Sequence, residues 1–361
     1  MKFPLLSSLL SLITCLPSLG WSQVSGESVL QSREERLPEV YQEAILPMIS
    51  ASAKGQFAGL PHGERKIFLH YKALISDQAK AGIVIVHGFG ERTEKYFELA
   101  YDFYQQGYNV FLYDQRGHGA STRLLTENQA VHVEDFTDYV EDLRIFVSEV
   151  IPSHQGDKEL FVFAHSMGGA VTSRFLVEYP GYFQAAVLSA PMHQIYLKGY
   201  PPWIAKTLAA TADNLGLGKS YALGQSKPSP WPFEKSAARS RVRWDHYKQL
   251  SEKLIPEDQQ TGGASYRWIR QAFIATDELL AHEKLAQLAT PILLFQAGVD
   301  TWVEEQGQNE FCERVVACQL VRYDEAKHEL YREPDESRAT YLQSIFDFYK
   351  KYQSPLLSTK N

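Results

Sequence analysis

An apolar run that stops on a serine between small residues constrains this chain more than any other feature: Phe161-Val162-Phe163-Ala164-His165-Ser166-Met167-Gly168-Gly169-Ala170. Leu160 to Ala164 reads as a buried strand, and the residues after Ser166 read as a helix. Joining the two so abruptly needs a tight turn, which strains the serine backbone and lifts its hydroxyl clear of both elements. Bulky neighbours would collide inside such a turn, and Gly168 and Gly169 let the following helix pack close to the sheet. The pattern is a variant of the G-x-S-x-G turn with Ala164 in the first glycine position, and it marks Ser166 as a candidate nucleophile.

The chain has 361 residues, 44% of them hydrophobic and 22% charged, which is enough to bury a large core. A formal net charge of -7 gives no support for nucleic-acid binding. Lys2 precedes an uncharged apolar stretch from Phe3 to Leu16, with Ser18, Gly20 and Ser22 after it. That order is the order of a secretory leader, so residues 1–22 are expected to be a signal peptide cleaved after Gly20 or Ser22. The product would be exported, periplasmic or secreted, with membrane association if the leader is retained or lipidated. Cys312 and Cys318 then remain. Within one continuous helix their spacing is too long to bridge, so a disulfide requires the helix to end near Val315-Val316-Ala317. Paired and free thiols both stay open, and neither implies a metal.

Residues 23–63 read as a polar N-terminal extension with one amphipathic piece, Glu39 to Ile49. Strands are expected at Lys66–Leu74, Gly82–Val86, Asn109–Tyr113, Leu160–Ala164, Ala185–Ser189, Pro291–Gln296 and Gln319–Tyr323, with helical patterns between most of them. This alternation predicts an α/β fold, a mostly parallel sheet with helices on both faces. It breaks between Met192 and about Leu288, a stretch with Pro201-Pro202, Pro228, Pro230, Pro232 and several aromatics. The core is therefore expected in residues 64–192 and 289–353, with 193–288 inserted after the sixth strand as a lid over Ser166.

A serine hydroxyl becomes nucleophilic when a base takes its proton and a third group orients that base. In elbow-type sites the chain order is serine, acid, histidine. Of His193, His246, His282 and His328, only His328 lies in a loop just past the last expected strand, which opens beside the serine turn. Asp300, in Gln296-Ala297-Gly298-Val299-Asp300, is the acid expected after the preceding strand. The backbone N–H groups of Met167 and Phe89 are the expected donors to an oxyanion, the second from His87-Gly88-Phe89-Gly90. His87 reads as bracing its loop. Asp114 and His118, in the loop 113–121, read as polar support. No metal and no cofactor are called for.

With these residues placed, the chain resembles the α/β-hydrolase branch that contains bacterial lysophospholipases and monoacylglycerol lipases, the serine aminopeptidase-like group. HGFGERTEKY (87–96), YDQRGHGAS (113–121), AHSMGGA (164–170), SAPM (189–192), GVD (298–300) and AKHELYRE (326–333) carry the resemblance. The lysophospholipase subgroup extends it to KSYALG (219–224) and GGASYRWIRQA (262–272), so that it covers roughly residues 60–350. It implies an α/β-hydrolase fold, a Ser–His–Asp triad and a lipid ester substrate. The secretion-type leader departs from the best-known kind, which sits on the cytoplasmic side of a membrane.

Tyr196, Tyr200, Trp203, Ile204 and Leu208 are expected to line an acyl-chain channel in the lid, or to pack within it. Burying an acyl tail contributes about 0.8 kcal/mol per methylene, so roughly ten methylenes outweigh any single head-group contact. Lys235, Arg239, Arg241 and Arg243 form a basic run that reads first as a solvated lid helix. The alternative is that it meets a phosphate or an anionic membrane surface, the lid then being a site of peripheral membrane contact. Three functions compete: hydrolysis of a single-chain lipid ester, lysophospholipid or monoacylglycerol; an aminopeptidase, for which no acidic anchor is evident; and a lipid binder without catalysis. The sequence assigns no oligomeric state.

Overall fold

Uninterrupted β-branched and aromatic runs become the central strands of one sheet in the computed structural model, which describes residues 29–229 and 232–354. The expected leader lies outside the described residues. The strands are β1 (Ala53–Ala58), β2 (Phe68–Leu74), β3 (Ala81–Val86), β4 (Tyr108–Tyr113), β5 (Leu160–His165), β6 (Ala185–Ser189), β7 (Ile292–Ala297) and β8 (Cys318–Tyr323). Their order is β1-β2-β4-β3-β5-β6-β7-β8. β2 runs antiparallel to β1 and β4, and every other pairing is parallel. Every residue of β3, β4, β6 and β7 is buried, as strands covered on both faces require.

The helices Phe97–Gln105 and Asp335–Tyr352 cover one face, where Phe103 meets Phe163 and Phe346 with ring centroids 5.9 and 5.8 Å apart. Met167–Glu178 and Glu305–Arg314 lie on the other face, joined through His193, which bonds Ser173 Oγ at 2.9 Å and packs on the Phe311 ring at 4.2 Å. Register decides where the reactive loops begin. Val86, Ala164, Leu188, Leu294 and Leu320 pair across five parallel strands, so the loops after β3, β5, β6, β7 and β8 all open on one carboxyl edge. That edge is where open parallel sheets gather their ligands.

The break expected after Met192 is present: the chain leaves the sheet at Ser189 and returns at Ile292. Between them the helices Pro202–Ala212, Arg241–Leu254 and Tyr266–Ala281 form an inserted segment. Trp268 of that segment sits against Phe89, ring centroids 4.3 Å apart, so the insertion leans on the loop after β3. The Glu305–Arg314 helix ends before Cys318, and Cys312 and Cys318 form a disulfide with Cα atoms 5.1 Å apart.

The N-terminal boundary differs from the expectation. Within residues 29–63, Leu37, Tyr41, Ile45 and Ile49 are buried against the core in successive helical turns, and β1 extends the sheet edge. β1 went unread because only Phe57 of Ala-Lys-Gly-Gln-Phe-Ala is buried, which leaves no apolar run. Ile45→Ala should lower unfolding free energy by about 2–4 kcal/mol in denaturant titration, the usual cost of a cavity at a fully buried isoleucine. A loss below about 0.5 kcal/mol, typical of surface positions, would show that this segment is not part of the cooperative core.

Candidate active site

Ser166 joins β5 to the Met167–Glu178 helix at φ 52° and ψ −120°, a left-handed conformation that a side chain rarely adopts. The turn persists because the backbone around it is pinned. The Ser166 N–H donates to the Ser189 carbonyl at 3.1 Å, and the Ser166 carbonyl accepts from the N–H groups of Gly169 and Met192 at 2.9 and 2.8 Å. A Cβ at Gly168 would collide with the carbonyl oxygens of Val86 and His87, so only glycine lets the helix start this close to β3. Met167 opens the helix, where N–H groups lack intrahelical acceptors and the helix dipole is positive.

Asp300 follows β7 and His328 follows β8, as the strand exits predict. The His328 Nδ1–H donates to Asp300 Oδ2 at 2.7 Å. Asp300 Oδ1 accepts the N–H groups of Trp302 and Val303 at 2.8 and 3.2 Å, which fixes the carboxylate in rotation. Burial works to raise the Asp300 carboxyl, but the His328 ring and these donors outweigh it and hold the group below its usual range. A proton on Nδ1 leaves Nε2 as the basic nitrogen of His328. Trp302 lies 6.3 Å from the imidazole with nearly parallel rings.

The loop after β3 approaches so closely that a Cβ at Gly88 would stand 3.0 Å from the Ser166 Cβ. His87 braces it, bonding the Gly88 carbonyl at 2.8 Å and accepting the Gln115 N–H at 2.9 Å. Asp114 accepts the Thr93 and Ala120 N–H groups at 2.8 and 3.0 Å, and His118 bonds the Arg116 carbonyl at 3.0 Å, so both serve the surrounding loops.

Sequence reasoning missed the ionic frame behind these loops. The Gly88 N–H donates to Glu91 Oε2 at 2.7 Å, and the other Glu91 oxygen takes Lys95 Nζ at 2.7 Å and Tyr331 OH at 3.1 Å. Lys95 also bonds Glu329, the residue after His328, at 2.5 Å. Burial would raise the Glu91 carboxyl; Lys95, His165 and Tyr96 hold it well below the ordinary range. Glu91 lies in the loop ahead of the short Thr93–Tyr96 helix, so no helical spacing signals its pairing with Lys95. His165 lies 4.6 Å from the His328 ring, and burial pushes it down to about 4. His165 is thereby kept neutral near neutral pH.

The expected substrate contacts fare differently. Arg243 is buried and fully engaged, bonding Glu98 at 3.0 Å, Asp335 at 2.7 Å and the Glu333 carbonyl at 2.9 Å, so it is a structural ion and not a phosphate ligand. Arg239 pairs with Glu333 at 2.5 Å and Glu325 at 3.0 Å. Arg241 remains outward, paired only locally with Asp245 at 2.8 Å and stacked over Trp244. Tyr196 donates its N–H to the Trp302 carbonyl at 3.0 Å, tying the start of the insertion to the acid loop. Tyr200 and Trp203 are 68% and 67% exposed and face outward instead of lining an enclosed channel. A cleft of about 450 Å³ nearby is lined by His193, Ile195, Leu197, Pro202 and Phe273 among others. No group of three or more His, Cys, Asp or Glu among the described residues is placed to hold a metal ion.

Residues 77–335 match the family described as Serine aminopeptidase, S33. Lysophospholipase L2 of Escherichia coli (strain K12) is 32% identical over 299 residues, covering 80% of this chain and 85% of that protein. The monoacylglycerol lipase of Mycolicibacterium smegmatis is 26% identical over 290 residues, covering 80% and 94%. A soluble variant of monoglyceride lipase from Saccharomyces cerevisiae shares the fold with a TM-score of 0.65 at 18% identity, over 85% of this chain and 98% of that one.

The His165 ring should keep neutral-imidazole chemical shifts down to about pH 4 in an NMR titration. Its folded affinity for protons is depressed, so its contribution to stability is present above its unfolded value of about 6.5 and is lost as pH falls through about 4. Charging of this ring near its ordinary value would contradict the burial account.

Proposed function

The chain belongs to the serine aminopeptidase (S33) family of α/β-hydrolases, with lysophospholipases and monoacylglycerol lipases among its relatives, and on that premise we propose how it works as a serine ester hydrolase. Its substrate class is a lipid ester. The finer reading is a single-chain lipid, a lysophospholipid first, cleaved through an acyl-Ser166 intermediate. The observation that carries it is the Asp300–His328 hydrogen bond on the sheet edge that also presents Ser166.

His328 Nε2 takes the Ser166 proton as Oγ attacks the ester carbonyl carbon. The Met167 and Phe89 N–H groups receive the oxyanion. Collapse breaks the ester C–O bond, and His328 returns the proton to the departing alcohol. Water, deprotonated by the same nitrogen, then attacks the acyl carbon, the bond to Ser166 Oγ breaks, and His328 returns the proton to Oγ as the fatty acid leaves. A lysophospholipid is favoured by the 32% identity to Lysophospholipase L2. With Arg239 and Arg243 committed to carboxylates of the protein, the basic run has less charge to offer a head group, and tail burial dominates affinity. Monoacylglycerol hydrolysis is the second reading.

Tyr200, Trp203, Ile204, Leu208, Leu215 and Leu217 expose an apolar outer face on the insertion, which supports contact with a lipid surface. The leader-like residues 1–22 and the Cys312–Cys318 disulfide support an exported protein. A mature chain that keeps residues 1–22 and reduced thiols would contradict export.

Fatty-acid release should be measured on lysophosphatidylcholine, lysophosphatidylethanolamine, monoacylglycerols and a short soluble ester, beside Ser166→Ala and Trp203→Ser. Lysophospholipids should be preferred, and Ser166→Ala should lose on the order of 10⁴ or more in rate. Trp203→Ser should slow release from vesicles and spare the soluble ester. Preference for uncharged esters would move the substrate to monoacylglycerol, and equal rates for Trp203→Ser on both presentations would remove the membrane contact.

A further inference from the structure

Both chain neighbours of His328 are held by the inserted segment. Lys327 Nζ donates to the Ser236 carbonyl at 3.1 Å, and the Glu329 N–H donates to the Ala237 carbonyl at 2.8 Å. The Lys327 and Arg239 N–H groups converge on Glu333 Oε1 at 3.0 and 3.2 Å. Arg239 Nε donates to the second Glu333 oxygen at 2.5 Å, and its other nitrogens reach Ser337 Oγ and Glu325, each at 3.0 Å. Residues 236–239 thus run beside the loop 327–333 as a splint with His328 near its start. Glu333 is its buried centre, taking donors from both sides.

Asp300 fixes the imidazole at Nδ1 alone, and a ring held by one hydrogen bond pivots unless the backbone carrying it is also fixed. A general base must hold its place to within about 0.5 Å, and a misplacement of about 1 Å can lower a rate about 100-fold. The neighbouring Glu329–Lys95 pair holds the loop from the core side only. We propose that Arg239 and Glu333 are positioning residues, which clamp the inserted segment to the His328 loop and thereby set the reach of the base. The inference rests on the reading of Ser166, His328 and Asp300 as the triad. On this account the arginine of the insertion acts on rate for every ester and not on head-group choice. It also divides the insertion: an outer part, around Tyr200 to Leu217, free to meet lipid, and an inner part at 236–239 that stays with the core.

Arg239→Gln, Arg239→Met, Arg239→Lys and Glu333→Gln would be assayed on lysophosphatidylcholine and on a monoacylglycerol, below each variant's melting transition, with Ser166→Ala alongside. Arg239→Gln and Arg239→Met should lower kcat about ten- to 100-fold on both substrates while KM stays within about twofold. Arg239→Lys, which keeps one donor to Glu333, should recover much of the loss. The double variant Arg239→Gln with Glu333→Gln should be no slower than the worse single one, because the two act as one unit. An unchanged kcat in folded Arg239→Gln and Arg239→Met would overturn the proposal. So would a rise in KM confined to the phosphate-bearing substrate, which would return Arg239 to the head group. Full activity in Ser166→Ala would instead overturn the triad reading, whatever Arg239 does.

Discussion

The strained turn at Ser166 is the constraint on which the reactive edge depends. A residue at φ 52° that is not glycine is costly, roughly 1–3 kcal/mol, and persists only where its surroundings over-determine it. Here the fixing comes from three directions: the Ser189 carbonyl from β6, the Met192 N–H beyond it, and the closeness of the Met167–Glu178 helix to β3 that Gly168 permits. The same closeness brings Gly88 beside Ser166, so the serine and the loop after β3 are set by one packing contact. Parallel register then delivers Asp300 and His328 to the same edge from β7 and β8.

Around that turn the protein uses buried charge to hold backbone in place. Glu91 grips the Gly88 N–H and, through Lys95, reaches Glu329 beside His328. Arg243 ties the insertion to Glu98 and Asp335, and Arg338 bonds the Tyr331 carbonyl at 2.8 Å within the loop that carries the base. Removing one partner from such a buried set typically costs about 3–5 kcal/mol, because the remaining charge is left uncompensated. The loops around Ser166 and His328 are thus tied into buried ion pairs, while Tyr200 and Trp203 stand in solvent on the insertion.

The central sheet and the placement of Ser166, Asp300 and His328 were legible because they are local: apolar runs, a small-residue turn, and a polar residue just past each strand. β1 was not legible, since an edge strand needs hydrogen-bonding partners more than an apolar pattern, and only Phe57 is buried. Arg239 and Arg243 of the insertion were misread for a related reason. Arg239 and Glu333 are 94 residues apart, and Arg243 and Glu98 are 145 apart. Such charge pairing is invisible in any window of sequence, so a basic run that looks solvated or phosphate-seeking can be spent inside the molecule. Glu91 and Lys95 are four residues apart, but Glu91 lies in the loop ahead of the Thr93–Tyr96 helix, and the tie through Lys95 to Glu329 required the fold.

The proposed mechanism depends on His328 making Ser166 nucleophilic. Covalent labelling with a fluorophosphonate, mapped by mass spectrometry of peptides and timed in the parent and in His328→Gln, tests it most directly. One adduct is expected, on the peptide carrying Ser166, formed about 10²-fold or more slowly in His328→Gln. An adduct elsewhere, or an unchanged rate in His328→Gln, would contradict it.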